Sequence, residues 1–185
     1  MIRRIRVILF IALPMAAGCA GFRSNTVETP NPWPPAPRKA DKKPSINVTF
    51  QGITGELLET FKKPTLKAYE KSGLFSQVSA SARANSDLTA EVVVSDNQSG
   101  STVLAFLCGL TLTLIPSTAT DGFEVATTFR DASSNAVFSS KKNEDVTIWI
   151  EFFLVFVWPF MNPDTVTEQA IFDLAASSLA DYAKS

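Results

Sequence analysis

Serine and lysine are the residue types whose spacing in this chain most directly suggests catalysis. Ser139 and Lys142 have the spacing S-x-x-K, and Ser95-Asp96-Asn97 forms an S-D-N triplet, so a lysine could activate a serine nucleophile. In enzymes that combine these motifs, S-x-x-K comes first, whereas here it follows, and no K-T-G triplet occurs. Histidine, the most common general base and metal ligand, is absent. The sequence therefore predicts no nucleophilic active site.

The carboxylates are no better candidates for catalysis. Glu144-Asp145 and the pair Asp164 and Glu168 are the closest groupings, and they are typical of a solvated turn and of a helix N-terminus, where negative charge is favourable. Gly52 and Gly55 are not followed by the G-K-[ST] of a phosphate-binding loop. We expect no enzyme, no cofactor and no metal site; an enzyme that uses carboxylates alone is the remaining alternative.

Cys19 is the residue to which chemistry can be assigned. Three arginines in the first six residues precede the apolar run 7–17, which has the length of a secretory signal rather than of a membrane span. Met15-Ala16-Ala17-Gly18-Cys19 then resembles the lipobox of bacterial lipoproteins, although alanine stands where leucine is usual. The resemblance implies that residues 1–18 are a signal peptide that is removed and that the Cys19 thiol is acylated.

The residue after the cysteine and the charge balance bear on location and partners. Ala20 stands where an aspartate often retains lipoproteins in the inner membrane, so the resemblance implies the periplasmic face of the outer membrane, with the inner membrane as the alternative. Removal of the signal peptide leaves 14 basic and 18 acidic residues, a formal charge of −4. This balance disfavours nucleic acid as a partner.

The segment 19–44 has the composition of a tether. Six prolines are interleaved with basic residues between positions 20 and 44, and prolines favour extended polyproline geometry. We therefore expect a disordered spacer that holds the following domain away from the acylated cysteine. Its basic end either keeps the spacer solvated or binds anionic headgroups or acidic polymers.

Residues 45–185 have the pattern of one domain. Alternating apolar residues predict a strand from Ser45, strands near 78–82 and 88–95, and a hairpin whose turn lies at 131–135. An apolar face predicts a helix over 56–72, kinked or restarted at Pro64 and ended by Gly73. A closing helix is predicted after Asn162, with Thr165 and Glu168 at capping-box spacing, and with an apolar stripe formed by Ile171, Leu174, Ala175, Ser178, Leu179 and Tyr182. The expected fold class is α+β, with a small antiparallel or mixed sheet packed by two helices.

Two apolar segments, 103–115 and 148–161, allow two interpretations. Both are shorter than the roughly 20 residues of a membrane-spanning helix, and each fits a central strand or a buried helix. Alternatively, they form an exposed surface that meets a membrane or a partner, because a domain of this size has little room to bury both. We expect a division in the second segment, with 147–151 in the sheet and 152–160 partly exposed. Cys108, in the first segment, is expected to be buried as a small hydrophobe. The residues proposed to contact a membrane or partner are Phe152, Phe153, Phe156, Trp158 and Phe160.

The order of elements also resembles small periplasmic α/β auxiliary lipoproteins of the Gram-negative envelope. The resemblance is carried by a strand, a helix ending in Ser72-Gly73-Leu74-Phe75, and paired strands beginning at Asp87-Leu88. It implies a lipid-anchored, non-enzymatic protein that binds an envelope protein or supports an envelope assembly. The alternative is a lipid-handling or membrane-inserting module that uses the aromatic segment 152–160.

Overall fold

The structure, a computed structural model, describes residues 18–24, 27–36, 42–81, 86–111, 113–156 and 159–185. The described residues form six strands, three α-helices and a short 3₁₀ helix. The strands are β1 (Gly18–Ser24), β2 (Ser45–Gln51), β3 (Gln77–Ser79), β4 (Leu88–Gly100), β5 (Ser117–Asp131) and β6 (Ala136–Glu151). The helices are α1 (Gly55–Ser72), α2 (Thr102–Leu110) and α3 (Pro163–Lys184), and the 3₁₀ helix is Phe152–Phe156.

The strands form one mixed sheet in the order β1-β6-β5-β4-β2-β3. Strand β2 is parallel to both of its neighbours, with Ile46 opposite Val78 on β3 and opposite Leu88 on β4. Strands β5 and β6 are consecutive and adjacent, and the tight turn Asp131–Asn135 joins them, as the sequence predicts. The predicted α+β fold is confirmed.

The chain divides into two compact units. The described residues of the first unit are 18–24, 98–111, 113–121, 146–156 and 159–167. Those of the second unit are 27–36, 42–81, 86–97, 122–145 and 168–185. Strands β4, β5 and β6 and helix α3 each contribute residues to both units.

The second unit contains most of the aromatic core. The ring of Phe129 is fully buried, and its centroid lies 4.6 Å from that of Tyr182 and 6.1 Å from that of Tyr69. Burial raises the pKa of the Tyr69 hydroxyl, because the phenolate would have to leave water. The predicted apolar stripe of α3 is buried throughout, so this helix closes the core as expected.

Two details of the helices differ from the sequence prediction. Helix α1 continues through Pro64 without a restart, and the proline is buried; Gly73 ends the helix in the left-handed conformation, as predicted. Helix α3 begins at Pro163 rather than at a Thr165–Glu168 capping box. The Asn162 Oδ1 accepts the backbone N–H of Asp164 at 2.9 Å. Asparagine at the cap and proline at the first helical position are favourable because they satisfy or remove backbone donors that have no helical partner.

The segment predicted to be a disordered tether has ordered contacts in its described part. Residues Gly18–Ser24 form strand β1 and pair with β6. Farther along, the Trp33 ring meets the Phe172 ring edge to face at 5.9 Å, and the Thr29 hydroxyl donates to the carboxylate of Asp173. The structure therefore differs from the prediction that 19–44 is a free spacer. Residues 25–26 and 37–41 lie outside the described residues.

Candidate functional site

The first unit exposes many large apolar side chains to solvent. Thirteen of the fifteen large apolar side chains that are exposed in the described part of the chain belong to this unit, and two, Val93 and Val137, belong to the second. Between Asp96 and Asp121 the sequence contains no charged residue. Exposed single apolar residues are ordinary, whereas a concentration of this kind is typical of interaction surfaces.

Helix α2 supplies the largest part of this surface. Ser101 caps the helix by accepting the N–H of Leu104 at 3.3 Å, and Cys108 is the one buried residue among the nine of the helix. Val103, Phe106 and Leu110 each expose 65–67% of their surface. The interpretation of 103–115 as a core element is therefore wrong. Because β4 and β5 are neighbours in the sheet, the chain between them is a connection, and connections lie at the protein surface.

The aromatic segment is divided as the sequence predicts. Thr147–Glu151 belongs to β6, and the 3₁₀ helix begins at Phe152. After that point Phe153, Phe156 and Phe160 expose 63%, 75% and 87% of their surface. Phe152 is half-buried and packs edge to face against Phe153 at 5.4 Å. Trp158 lies outside the described residues.

Direct contacts join the two apolar segments. The N–H of Phe152 donates to the carbonyl of Thr113 at 3.1 Å. The thiol of Cys108 donates a weak hydrogen bond to the carbonyl of Ile150 at 3.9 Å. The sequence separates these segments by more than thirty residues, and the sheet brings them together within the first unit. We call the exposed apolar side chains of α2 and of the segment 152–160 the apolar surface.

Cys19 belongs to the same unit. It lies in β1, and Cys108 of α2 is close enough to influence its titration. Burial, and to a smaller extent Cys108, raise the pKa of the Cys19 thiol because both disfavour the thiolate. Both cysteines are free thiols, and Cys108 is buried as predicted. The environment of the Cys19 sulfur therefore favours an uncharged group.

Further contacts within the first unit hold strand β1 in place. The N–H of Gly21 donates to the carbonyl of Met161 at 2.9 Å, and a Cβ at Gly21 would lie 3.0 Å from the Cα of Pro163. The ring of Phe22 meets Trp149 edge to face at 6.3 Å. A side chain at this position would require the neighbouring atoms to shift by a few tenths of an ångström, so glycine favours the close approach of the cysteine-bearing strand to Pro163.

The serine and lysine groups of the sequence motifs are not brought together. Ser139 and Lys142 lie on β6, where residues three apart point to opposite faces of the sheet. The Ser139 hydroxyl lies 3.5 Å from that of Thr128, and the Lys142 ammonium lies 2.6 Å from the carboxylate of Asp181. This arrangement cannot deliver a lysine base to a serine nucleophile.

Several carboxylates of the second unit are engaged in ion pairs or turns. Glu91 and Glu124 lie 2.8 and 2.9 Å from the cationic groups of Arg130 and Lys141, and Asp131 accepts two backbone N–H groups within its turn. Within the described ranges, no three potential ligand side chains form a metal-binding group. No helix of the described residues is sufficiently long and apolar to cross a membrane.

The sequence analysis offers 103–115 as part of an exposed surface, but it names none of the exposed side chains of α2 as site residues, and it does not identify Phe22 or Trp149. The sequence does carry a signal for α2, namely the absence of any charge between Asp96 and Asp121. The sequence contains no comparable signal for Phe22, since its contact with Trp149 depends on the pairing of β1 with β6.

Comparison with known proteins gives structural likenesses alone. No protein-family model and no curated protein matches the chain. A PelC dodecamer from Paraburkholderia phytofirmans is 13% identical, with a TM-score of 0.40 over 85% of this chain and 95% of that chain. A variant of that PelC is 12% identical with a TM-score of 0.37 and the same coverage. A minor lipoprotein from Acinetobacter baumannii is 11% identical, with a TM-score of 0.36 over 76% of this chain and 84% of that chain. At these TM-scores, the likenesses assign neither a family nor a function to the chain.

Proposed function

We propose that this protein is a lipid-anchored accessory of a bacterial envelope, acylated on Cys19, and that it works by binding rather than by catalysis. The observation that carries the proposal is the presence of Cys19 and of the apolar surface in one compact unit. A lipoprotein needs its acylated residue on the side of the molecule that meets the membrane. An exposed apolar surface beside that residue meets this need.

The sequence and the contacts of strand β1 support acylation of Cys19. The cysteine follows small residues at the end of a basic and apolar leader, as in the lipobox of bacterial lipoproteins. The neighbourhood that raises the thiol pKa is compatible with a thioether, which carries no charge.

The absence of histidine from the whole sequence supports a binding role. The ion pairs of Glu91, Glu124 and Asp181 also support it, because a carboxylate held against a cation is poorly suited to general acid or base chemistry. We propose that the second unit, which contains most of the charged side chains, contacts an envelope protein. The proposed location is the periplasmic face of the outer membrane, since Ala20 follows the acylated cysteine.

Acylation is tested by growing producing cells with an alkyne-bearing fatty acid and determining the mass of the mature N-terminal peptide. We expect label in the parent and a mature chain that begins at an acylated Cys19. The variant Cys19→Ser should contain no label and should keep its leader. Cys108→Ser is the matched control, because it removes the other cysteine of the chain, and it should be labelled like the parent.

Label that persists in Cys19→Ser and is lost in Cys108→Ser would contradict the proposal. A parent that begins at another residue, with an unmodified Cys19 thiol, would contradict it as well. Membrane fractions of the labelled parent then identify the membrane, and photo-crosslinking from the second unit in intact cells identifies the protein partner.

A further inference from the structure

We infer that helix α2 inserts into the hydrocarbon of a lipid bilayer, in the same leaflet that holds the acyl chains on Cys19. The inference rests on the proposed function, because it takes its leaflet from the acylated residue. It goes further by naming the occupant of the apolar surface as lipid and by assigning the insertion to α2.

The first argument is that α2 has no charged face. Successive residues are rotated by about 100° around the helix axis. Viewed along that axis, the large exposed side chains cover an arc of roughly 160°, with Phe106 at one edge, Val103 within it and Leu104 at the other edge. The other exposed positions are Thr102, Ala105 and Gly109, and none is charged. Helices that rest on a membrane surface or on a protein usually keep a charged face toward water. A helix without one is typical of a segment surrounded by apolar material.

The length of the helix is the second argument. Nine residues at about 1.5 Å each give a helix of roughly 13 Å, and one leaflet contributes about half of a hydrocarbon core of roughly 30 Å. The helix is therefore too short to cross the bilayer and long enough to enter one leaflet. Cys108, the buried residue of α2, belongs to its last turn and lies near Cys19, so the C-terminal end of the helix lies beside the residue proposed to be acylated.

The third argument concerns the backbone at the end of α2. In hydrocarbon, each backbone polar group needs a partner within the protein. The carbonyl of Leu107 accepts the N–H and the hydroxyl of Thr111 at 3.0 and 2.8 Å, and that of Cys108 accepts the N–H of Thr113 at 2.8 Å. The Thr111 hydroxyl also accepts the N–H of Ile115 at 3.1 Å. The turn after the helix thus satisfies these groups internally, as a segment inside a leaflet must.

A bilayer fits these observations better than a protein partner. A flat protein surface covers one side of a helix, whereas exposed uncharged side chains lie on every side of α2 except that of Cys108, and lipid can cover all of these sides at once. The stretch between Asp96 and Asp121 also has no basic residue that could bind anionic headgroups. The expected contact is therefore apolar and insensitive to salt.

Vesicle binding by the unacylated chain tests the inference separately from the proposed function. The material is the chain from residue 19 to 185 with Cys19→Ser, secreted behind a cleavable leader, so that the result does not depend on acylation. The probe is vesicles of phosphatidylethanolamine with a minor fraction of phosphatidylglycerol. We expect co-sedimentation with vesicles to the same extent at low and high salt.

The double variant Phe106→Asp, Leu110→Asp should bind vesicles at least tenfold more weakly, because each carboxylate would have to enter hydrocarbon. Both side chains are about two-thirds exposed, so the variant should keep the circular dichroism spectrum and urea midpoint of its parent. Val137→Asp is the matched control, because Val137 is half exposed and lies in the second unit. It should bind vesicles like the parent.

Depth is measured by tryptophan fluorescence in vesicles whose acyl chains carry bromine. Phe106→Trp should gain fluorescence that acyl-chain bromine quenches, and Val137→Trp should gain fluorescence that it does not quench. Equal binding by the double variant and its parent would overturn the inference. An apolar surface that instead associates with a second copy, with the double variant monomeric and vesicle binding unchanged, would also overturn it.

Discussion

Truncation of Phe156 distinguishes an exposed aromatic segment from a core one. Phe156 exposes 75% of its surface, so about a quarter of the side chain is removed from water in the folded protein. Full burial of a phenylalanine stabilises by about 1.5–3 kcal/mol. We therefore expect Phe156→Ala to lower the free energy of unfolding by about 0.4–0.8 kcal/mol.

Phe129→Ala is the matched comparison, because it removes the same side chain from a site with no exposed surface. Phe129 packs against Tyr182, Phe138 and Tyr69, with ring centroids 4.6–6.1 Å away. Its loss should cost about 3–5 kcal/mol, a large part of the roughly 5–15 kcal/mol that stabilises a domain. The free energies are measured by urea unfolding of the 19–185 chain with Cys19→Ser, followed by circular dichroism.

At a slope of about 2 kcal/mol per molar urea, the midpoint should fall by about 0.2–0.4 M for Phe156→Ala and by about 1.5–2.5 M for Phe129→Ala. Phe156→Asp should also fold. If Phe156→Ala costs as much as Phe129→Ala, or if Phe156→Asp unfolds the chain, the segment after Glu151 belongs to the core and the reasoning is refuted.

Two further predictions concern stability. The carboxylate of Asp87 accepts the N–H and the hydroxyl of Ser45 at 2.7 and 2.8 Å, and these hydrogen bonds lower the pKa of Asp87. The stabilisation of the folded protein by this carboxylate is therefore present above the ordinary aspartate pKa of about 3.9. It is lost as the pH falls through the lower pKa of the folded state. The urea midpoint of the parent should be higher than that of Asp87→Asn at pH 7, and the difference should shrink below about pH 4. A difference that does not change with pH would contradict the stabilising role of the ionised Asp87. Trp33→Ala should lower the free energy of unfolding by about 1 kcal/mol through loss of the ring contact with Phe172. An unchanged urea midpoint in Trp33→Ala would instead indicate that this part of the chain is the free tether that its composition predicts.

The parts of the fold that the sequence predicts are those with a local periodic signal. The stripe on α3 repeats at helical spacing, and the turn at Asp131–Asn135 has its own side-chain chemistry, so both are found without knowledge of tertiary contacts. Strand β1 has no such signal, because it contains small residues and overlaps the lipobox. Its pairing with β6 depends on residues more than a hundred positions away.

The candidate site is predicted in part for the same reason. The aromatic segment is recognisable from composition, and its division at Glu151 follows from where alternation ends. The segment 103–115 is apolar almost throughout, and such a run does not by itself distinguish a central strand from an exposed helix. What decides between them is the adjacency of β4 and β5, which is a property of the whole sheet.

The position of β1 constrains the order of events during maturation. Gly18 and Ala20 are buried in the paired strand, so the peptide bond between Gly18 and Cys19 lies within the sheet once the chain has folded. A protease binds its substrate as an accessible extended segment, and the burial of Gly18 and Ala20 together with the pairing of β1 to β6 reduces that access. For a chain cleaved at this bond, we therefore expect processing at the membrane to precede the pairing of β1 with β6. In a precursor that folds first, the bond between Gly18 and Cys19 would be less accessible to the protease.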